Sequence, residues 1–227
     1  STNSFWNRNG KVRPAYSHFN CCSYQLYAEY AVTDCNSIEL NAAYSAVKET
    51  LNGNSRGFEE IELGWKHLFR GDESSALTGE VLALIPPGEK KSSIRYGRAG
   101  GQISLLYSRM FCLFERGGWV DTGLGYRLYQ GFPSDQIRAY TALGYCLFPR
   151  FQVIASGRLE YGIFNGQSRR NLNNIVFHPN YRLLNLQIEC LFHVFKHASL
   201  SLGGFKHVWG NNIGRGGGFF GGAWLDF

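Results

Sequence analysis

The chain is written in period two. Tyr24, Leu26, Ala28, Tyr30 and Val32 alternate with Ser23, Gln25, Tyr27, Glu29 and Ala31. After the polar stretch Thr33-Asp34-Cys35-Asn36 the pattern resumes, with Ile38, Leu40, Ala42, Tyr44 and Ala46 set against Glu39, Asn41, Ala43 and Ser45. Successive side chains of a strand point to opposite faces, so this spacing predicts two strands, each with an oily and a polar face, joined by a tight hairpin.

The same grammar runs on. Ile61, Leu63, Trp65 and Phe69 alternate with Glu60, Glu62, Gly64 and Lys66; Leu77, Val81, Ala83 and Ile85 with Thr78 and Glu80; Val120, Leu124 and Tyr126 with Asp121 and Arg127. Ile137, Leu143 and Tyr145 oppose Arg138 and Tyr140, Val153, Leu159 and Tyr161 oppose Arg158 and Glu160, and Leu186, Ile188 and Cys190 oppose Gln187 and Glu189. With further strands near 12–18, 100–109, 199–209 and 217–227, the count is about 12 strands of roughly 10 residues, the length a tilted strand needs to cross a bilayer. Ten is the alternative count, because Pro14 interrupts the first strand and the turn within Met110 to Gly117 is hidden in an apolar stretch. Short connections near 33–36, 70–73, 148–150 and 195–197 alternate with longer ones near 48–57, 86–97, 165–180 and 207–216. That rhythm predicts an all-β, up-and-down antiparallel transmembrane β-barrel over residues 12–227, preceded by an N-terminal periplasmic segment, 1–11. The glycine-rich NNIGRGGGFFGG lacks the Lys-Ser/Thr and the helix of a phosphate loop, and reads as an external loop entering the last strand.

Composition removes the competing classes. Gly 28, Tyr 13, Phe 17 and Trp 5 favour sheet, and the charged fraction of 18% is low for a soluble domain. The longest apolar runs fall far short of the roughly 20 residues of a membrane helix. The net charge of +6 is spread singly, without a basic helix or an RNA-binding signature, so no nucleic-acid partner is expected. Basic residues such as Lys90, Lys91, Arg169, Arg170 and Arg215 are suited to meeting anionic lipid. The residues from Ser1 do not form a basic n-region followed by an apolar h-region, so a secretory signal is either absent or already removed, and the expectation is a mature, processed chain.

If the oily parity faces lipid, the other lines a polar lumen, since a closed sheet must satisfy its own backbone in the bilayer. Glu29, Glu39, Glu60, Glu62 and Glu80 then come from early strands with Lys66 among them; Arg98, Arg127, Arg138 and Arg158 come from later ones with Asp121, Glu160 and Glu189. Two outcomes stay open: acidic and basic walls facing across water, which would select solutes, or salt-bridged walls filling a closed barrel. A lipid-modifying enzyme is the third reading. None of His18, His67, His178, His193, His197 and His207 lies in a nucleophile motif, and no catalytic residue, cofactor or metal site is assigned. Six cysteines (21, 22, 35, 112, 146 and 190) do not suggest a complete set of bridges; they read as small apolar residues, or as links to other envelope proteins.

The last residues, FFGGAWLDF, put Phe227, Leu225 and Ala223 on one parity and finish on an aromatic. This resembles the signature by which outer-membrane barrels are recognised by the barrel-assembly machinery. YAEYAVTDCNSIELNAAY and GFEEIELGWKHLF are similar to a repeated pattern in small outer-membrane barrels related to a transport channel of phenol-degradation pathways, with Ala31, Glu60 and His67 departing from it. The resemblance implies a Gram-negative outer-membrane location, both termini in the periplasm, and a porin-like channel for small solutes.

Overall fold

The computed structural model describes residues 2–50, 53–87, 98–131, 133–166 and 178–226. Among them the chain forms β1 (Thr2–Trp6), β2 (Val12–Thr33), β3 (Asn36–Glu49), β4 (Gly53–Gly71), β5 (Ser75–Ile85), β6 (Gly100–Leu113), β7 (Arg116–Tyr129), β8 (Gln136–Phe148), β9 (Phe151–Gly162), β10 (Arg182–Phe195), β11 (Ala198–Asn211) and β12 (Ile213–Leu225). Each strand pairs antiparallel with its neighbours in sequence, and β1 lies between β2 and β12, closing the twelve strands into a barrel. The all-β, up-and-down barrel expected from the alternation is the fold.

The side-chain distribution is inside out relative to a soluble protein. Leu26, Ile103, Leu124, Ile188 and Leu202 are each at least 60% exposed, while Ser45, Gln136, Gln152, Glu39 and Arg127 are buried. Water-soluble domains rarely expose a continuous apolar surface, whereas a barrel in lipid must. Two small apolar clusters stand at the end of the barrel away from the tight turns: Trp6 with Tyr181 and Ile213, and Leu82 with Leu84 and Tyr129.

The strand count agrees with the expectation, but the strands are distributed differently. Residues 12–18 and 23–32 belong to one continuous strand, because backbone pairing with β3 runs unbroken through Cys21 and Cys22, where the oily alternation fades. The twelfth strand comes from the segment 1–11 assigned outside the barrel: Phe5 pairs with Gly214 and Arg13, and Trp6 with Ile213 and Val12. The hidden turn falls at Phe114 and Glu115, whose φ of 51° and 61° are those of a two-residue hairpin loop without the usual Asn or Gly signal.

The glycine-rich segment is not a loop. β11 turns into β12 through Asn212 alone, at φ 54°. The segment's glycines are strand residues, and close ring packing uses some of the glycines in this pair of strands: a Cβ on Gly218 would press on Phe205 of β11, and one on Gly203 of β11 would overlap the Phe220 ring. The long/short rhythm is therefore exact only at one end, where five hairpins turn tightly. At the other end the connections range from this single residue to the spans after β5 and β9.

Closure by β1 is partial. Its pairing ends at Thr2, opposite Gly216 of β12 and Phe19 of β2. Nearer the tight-turn end, β2 from Asn20 and β12 from Gly217 have no further strand on that side among the described residues. Residues 20–35 are accordingly exposed on both parities. β2 and β12 are each antiparallel to β1, hence parallel to one another, and cannot continue the antiparallel ladder by pairing directly.

Candidate functional site

The inward parity of β2 to β10 carries the charges singled out by the sequence, and the ladder fixes their relative heights. Lys66 of β4 stands opposite Glu80 of β5; Glu29 of β2 stands opposite Glu39 of β3. Lys66 Nζ joins Glu29 at 2.7 Å and Glu39 at 2.9 Å, and donates to the Tyr27 hydroxyl at 2.9 Å. Ser37 donates to Glu29 at 2.6 Å, and the Tyr27 hydroxyl is also bonded to that carboxylate. One ammonium thus bridges two carboxylates on a three-strand wall and leaves one negative charge in surplus.

A second group crosses the barrel. Arg127 of β7 reaches past β5 and β6 to β4, placing its guanidinium 3.2 Å from Glu60 and 2.6 Å from Glu62. Its Nε donates to Gln102 at 2.6 Å, and Gln102 donates in turn to Ser104 at 2.8 Å and Glu80 at 3.3 Å. On the other flank Gln25 donates to Asn41, and Asn41 to Glu62, each at 2.9 Å. The result is a continuous polar belt from β2 to β7. Arg127 is only 3% exposed, a burial that a guanidinium tolerates when its donors are used.

The third pair is local. Arg138 of β8 meets Glu160 of β9 at 3.4 Å, its direct cross-strand neighbour. Tyr181 donates to the same carboxylate at 2.6 Å, and Arg138 donates through Nε to Gln136 at 3.0 Å.

Two lumen cavities adjoin these groups. One, of about 370 Å³, lies against Tyr27, Glu39, Glu62, Lys66, Glu80 and Arg127. The other, of about 440 Å³, lies toward the tight-turn ends of β7 to β10 and includes Asp121, Glu189 and Gln152 with Trp119 and Trp224. Tyr140 and Arg158 line both, and so mark where the two meet.

The sequence-derived residues therefore sort into three situations. Glu29, Glu39, Glu60, Glu62, Lys66, Glu80, Arg127, Arg138 and Glu160 belong to the belt and its flanking pairs. Asp121, Arg158 and Glu189 line the second cavity. Arg98 precedes β6 rather than lying on a strand, and its Nε is buried without a hydrogen-bond partner among the described residues. Of the assembly-signal residues, Leu225 and Ala223 share the outward parity of Phe219, which is 93% exposed; Phe227 lies outside the described residues.

The picture of opposed acidic and basic walls is modified. Arg127 meets the acidic wall instead of facing it across water, and Arg138 pairs along its own wall. Attention to charge alone also missed Tyr27, Gln102, Trp119, Tyr140 and Trp224. They share the inward parity of the charges, which was the available signal. All six cysteines are free, and His67 packs its ring between Trp65 and Phe69 on the outward face.

No family model matches the chain, and no curated protein does. Among solved structures, an outer membrane channel from Pseudomonas putida F1 superposes with a TM-score of 0.73 at 13% identity, covering 99% of this chain and 91% of that one. The NanC porin superposes with a TM-score of 0.53 at 6% identity, covering 93% of this chain and 97% of the porin. At these identities the likeness is one of fold, and the shared fold is that of small outer-membrane barrels.

Proposed function

We propose that this protein is a porin-like channel of a Gram-negative outer membrane, passing small solutes through its charged lumen. The observation that carries the reading is the pair of polar cavities meeting at Tyr140 and Arg158, inside a barrel whose outer surface is apolar. A barrel of 12 strands lies between the roughly 8 that side chains fill and the roughly 16 that leave an open aqueous channel, so side chains set its bore. The known functions of the two structural neighbours, a channel and a porin, support the same reading.

The tight turns belong on the periplasmic side, as short turns do in such barrels. The Asp226 backbone N–H donates to the His197 carbonyl in the β10–β11 turn at 3.1 Å, which supports a periplasmic C-terminus. The partners we propose are outer-membrane lipid along the apolar surface, the barrel-assembly machinery at the last strand, and other envelope proteins. The reading assigns no enzymatic step. His193 Nδ1 does lie 2.8 Å from Ser199 Oγ, and lipid turnover by the purified protein would revive an enzyme.

A second reading, a closed structural barrel, draws on Arg127 bridging to Glu60 and Glu62 and on the Leu82, Leu84 and Tyr129 cluster. Planar-bilayer recording separates the two. Discrete conductance steps with an ion preference altered by Glu80→Lys or Arg138→Glu support the channel, and silence across the voltage range supports the closed barrel.

A further inference from the structure

The charges of the second cavity are unused. Lys66, Arg127 and Arg138 are all ion-paired, whereas Asp121, Arg158 and Glu189 make neither a hydrogen bond nor an ion pair among the described residues. Glu189 is only 7% exposed and lines the cavity. Asn185 lines it too, and its Oδ1 is buried without a partner. A buried amide oxygen without a partner is costly unless something else meets it, and the unpaired Glu189 carboxylate opens onto the same cavity.

The arrangement specifies what could. Arg158 sits opposite Asn185 in the ladder, and Glu189 is four residues farther along the same strand. With a rise of about 3.3 Å per residue and a strand spacing of about 4.8 Å, the two Cα atoms are on the order of 14 Å apart. Asp121 is two strands from Arg158 and about 12 Å away by the same geometry. Side chains extending toward one another close much of these distances and leave room for a molecule the size of an amino acid. Trp119 and Trp224 supply ring surface to the same cavity, which suits an alkyl chain or an ammonium group over a π face.

We infer that this cavity is a binding station for a small amino-acid-like zwitterion with surplus positive charge. Its carboxylate is taken by Arg158, its ammonium groups by Glu189 and Asp121, and its chain lies against the indoles. Two acids and one base favour a net cation over a neutral zwitterion, and the unpaired guanidinium favours a carboxylate-bearing cation over a simple diamine. The inference deepens the channel reading and rests on it for its physiological meaning, although binding itself does not require an open lumen.

The test uses three probes on the intact protein in detergent: L-lysine, the diamine cadaverine, and L-glutamate. Calorimetry or tryptophan fluorescence is expected to rank lysine first. Glu189→Gln and Asp121→Asn are each expected to weaken lysine binding about tenfold, the loss that accompanies one hydrogen bond to a charged group. Arg158→Gln is expected to erase the preference of lysine over cadaverine. The wild-type ranking needs no variant to fold, so any order other than lysine strongest overturns the inference. Liposome swelling with the same solutes distinguishes the two levels: no entry of any solute sinks the channel reading, whereas entry without discrimination, joined to equal binding, sinks only the station.

Discussion

Arg127 Nη2 lies 2.6 Å from Glu62 Oε1, joining two strands that have two others between them. No contact of the sheet itself requires this bridge, so its consequences can be separated from those of the backbone ladder.

Removing the guanidinium leaves Glu60 and Glu62 side by side with no cation between them. Arg127→Met is expected to destabilise the barrel by about 3 kcal/mol, the scale for breaking a buried pair from one side. Urea unfolding in micelles measures this, and adding Glu60→Gln and Glu62→Gln should restore part of the loss. An unchanged midpoint in the single variant would mean that the bridge contributes little.

Lys66 bridges Glu29 and Glu39, and its effect belongs to permeation. Lys66→Gln is expected to move the reversal potential under a salt gradient toward cations, since a pair of carboxylates is uncovered in the lumen. A shift toward anions would contradict the assigned pairing.

Trp119 lies directly on Gly144, its cross-strand partner, where an added Cβ would overlap the indole. Gly144→Val should cost about 1–3 kcal/mol through overpacking. Displacing the ring into the second cavity should also shift the tryptophan emission. A variant with native emission and stability would show that the ring has room to move.

The edges left free beyond Thr2 predict uneven hydrogen exchange. Along β2 from Asn20 to Thr33, amides directed to β3 should be protected and the alternate ones should exchange rapidly, in contrast to β7, which is paired on both sides. Uniform protection along β2 would mean that another strand occupies that edge.

In the β4–β5 turn, the Asp72 carboxylate accepts from the backbone N–H groups of Ser74 and Ser75, each at 2.8 Å, and from both hydroxyls. These bonds, led by that from the Ser74 amide, hold its pKa down to about 2. A lowered native pKa means that the contribution to the turn is complete above the ordinary carboxylate range and is lost as pH falls toward about 2. Carboxyl NMR should place the midpoint near that value, and Ser74→Ala with Ser75→Ala should raise it.

The primary structure by itself determined which side of each strand is oily. Alternation such as Ile137, Leu143 and Tyr145 against Arg138 and Tyr140 is a local property, and strand geometry turns it directly into an outer and an inner face. The inward set of charges followed from the same parity. Strand limits were less legible where backbone pairing overrode pattern: β2 runs through Cys21 and Cys22, the Phe114–Glu115 hairpin lacks turn residues, and Gly218 of β12 lies against the Phe205 ring of β11. Only the tertiary structure decided that Arg127 spans to Glu62 while Arg158 stays unpaired, and that Thr2 to Trp6 belong to the wall. Parity gives a residue's face but not its height or its distance across the lumen. Those follow from the register and closure of the whole sheet, which couple residues far apart in the chain.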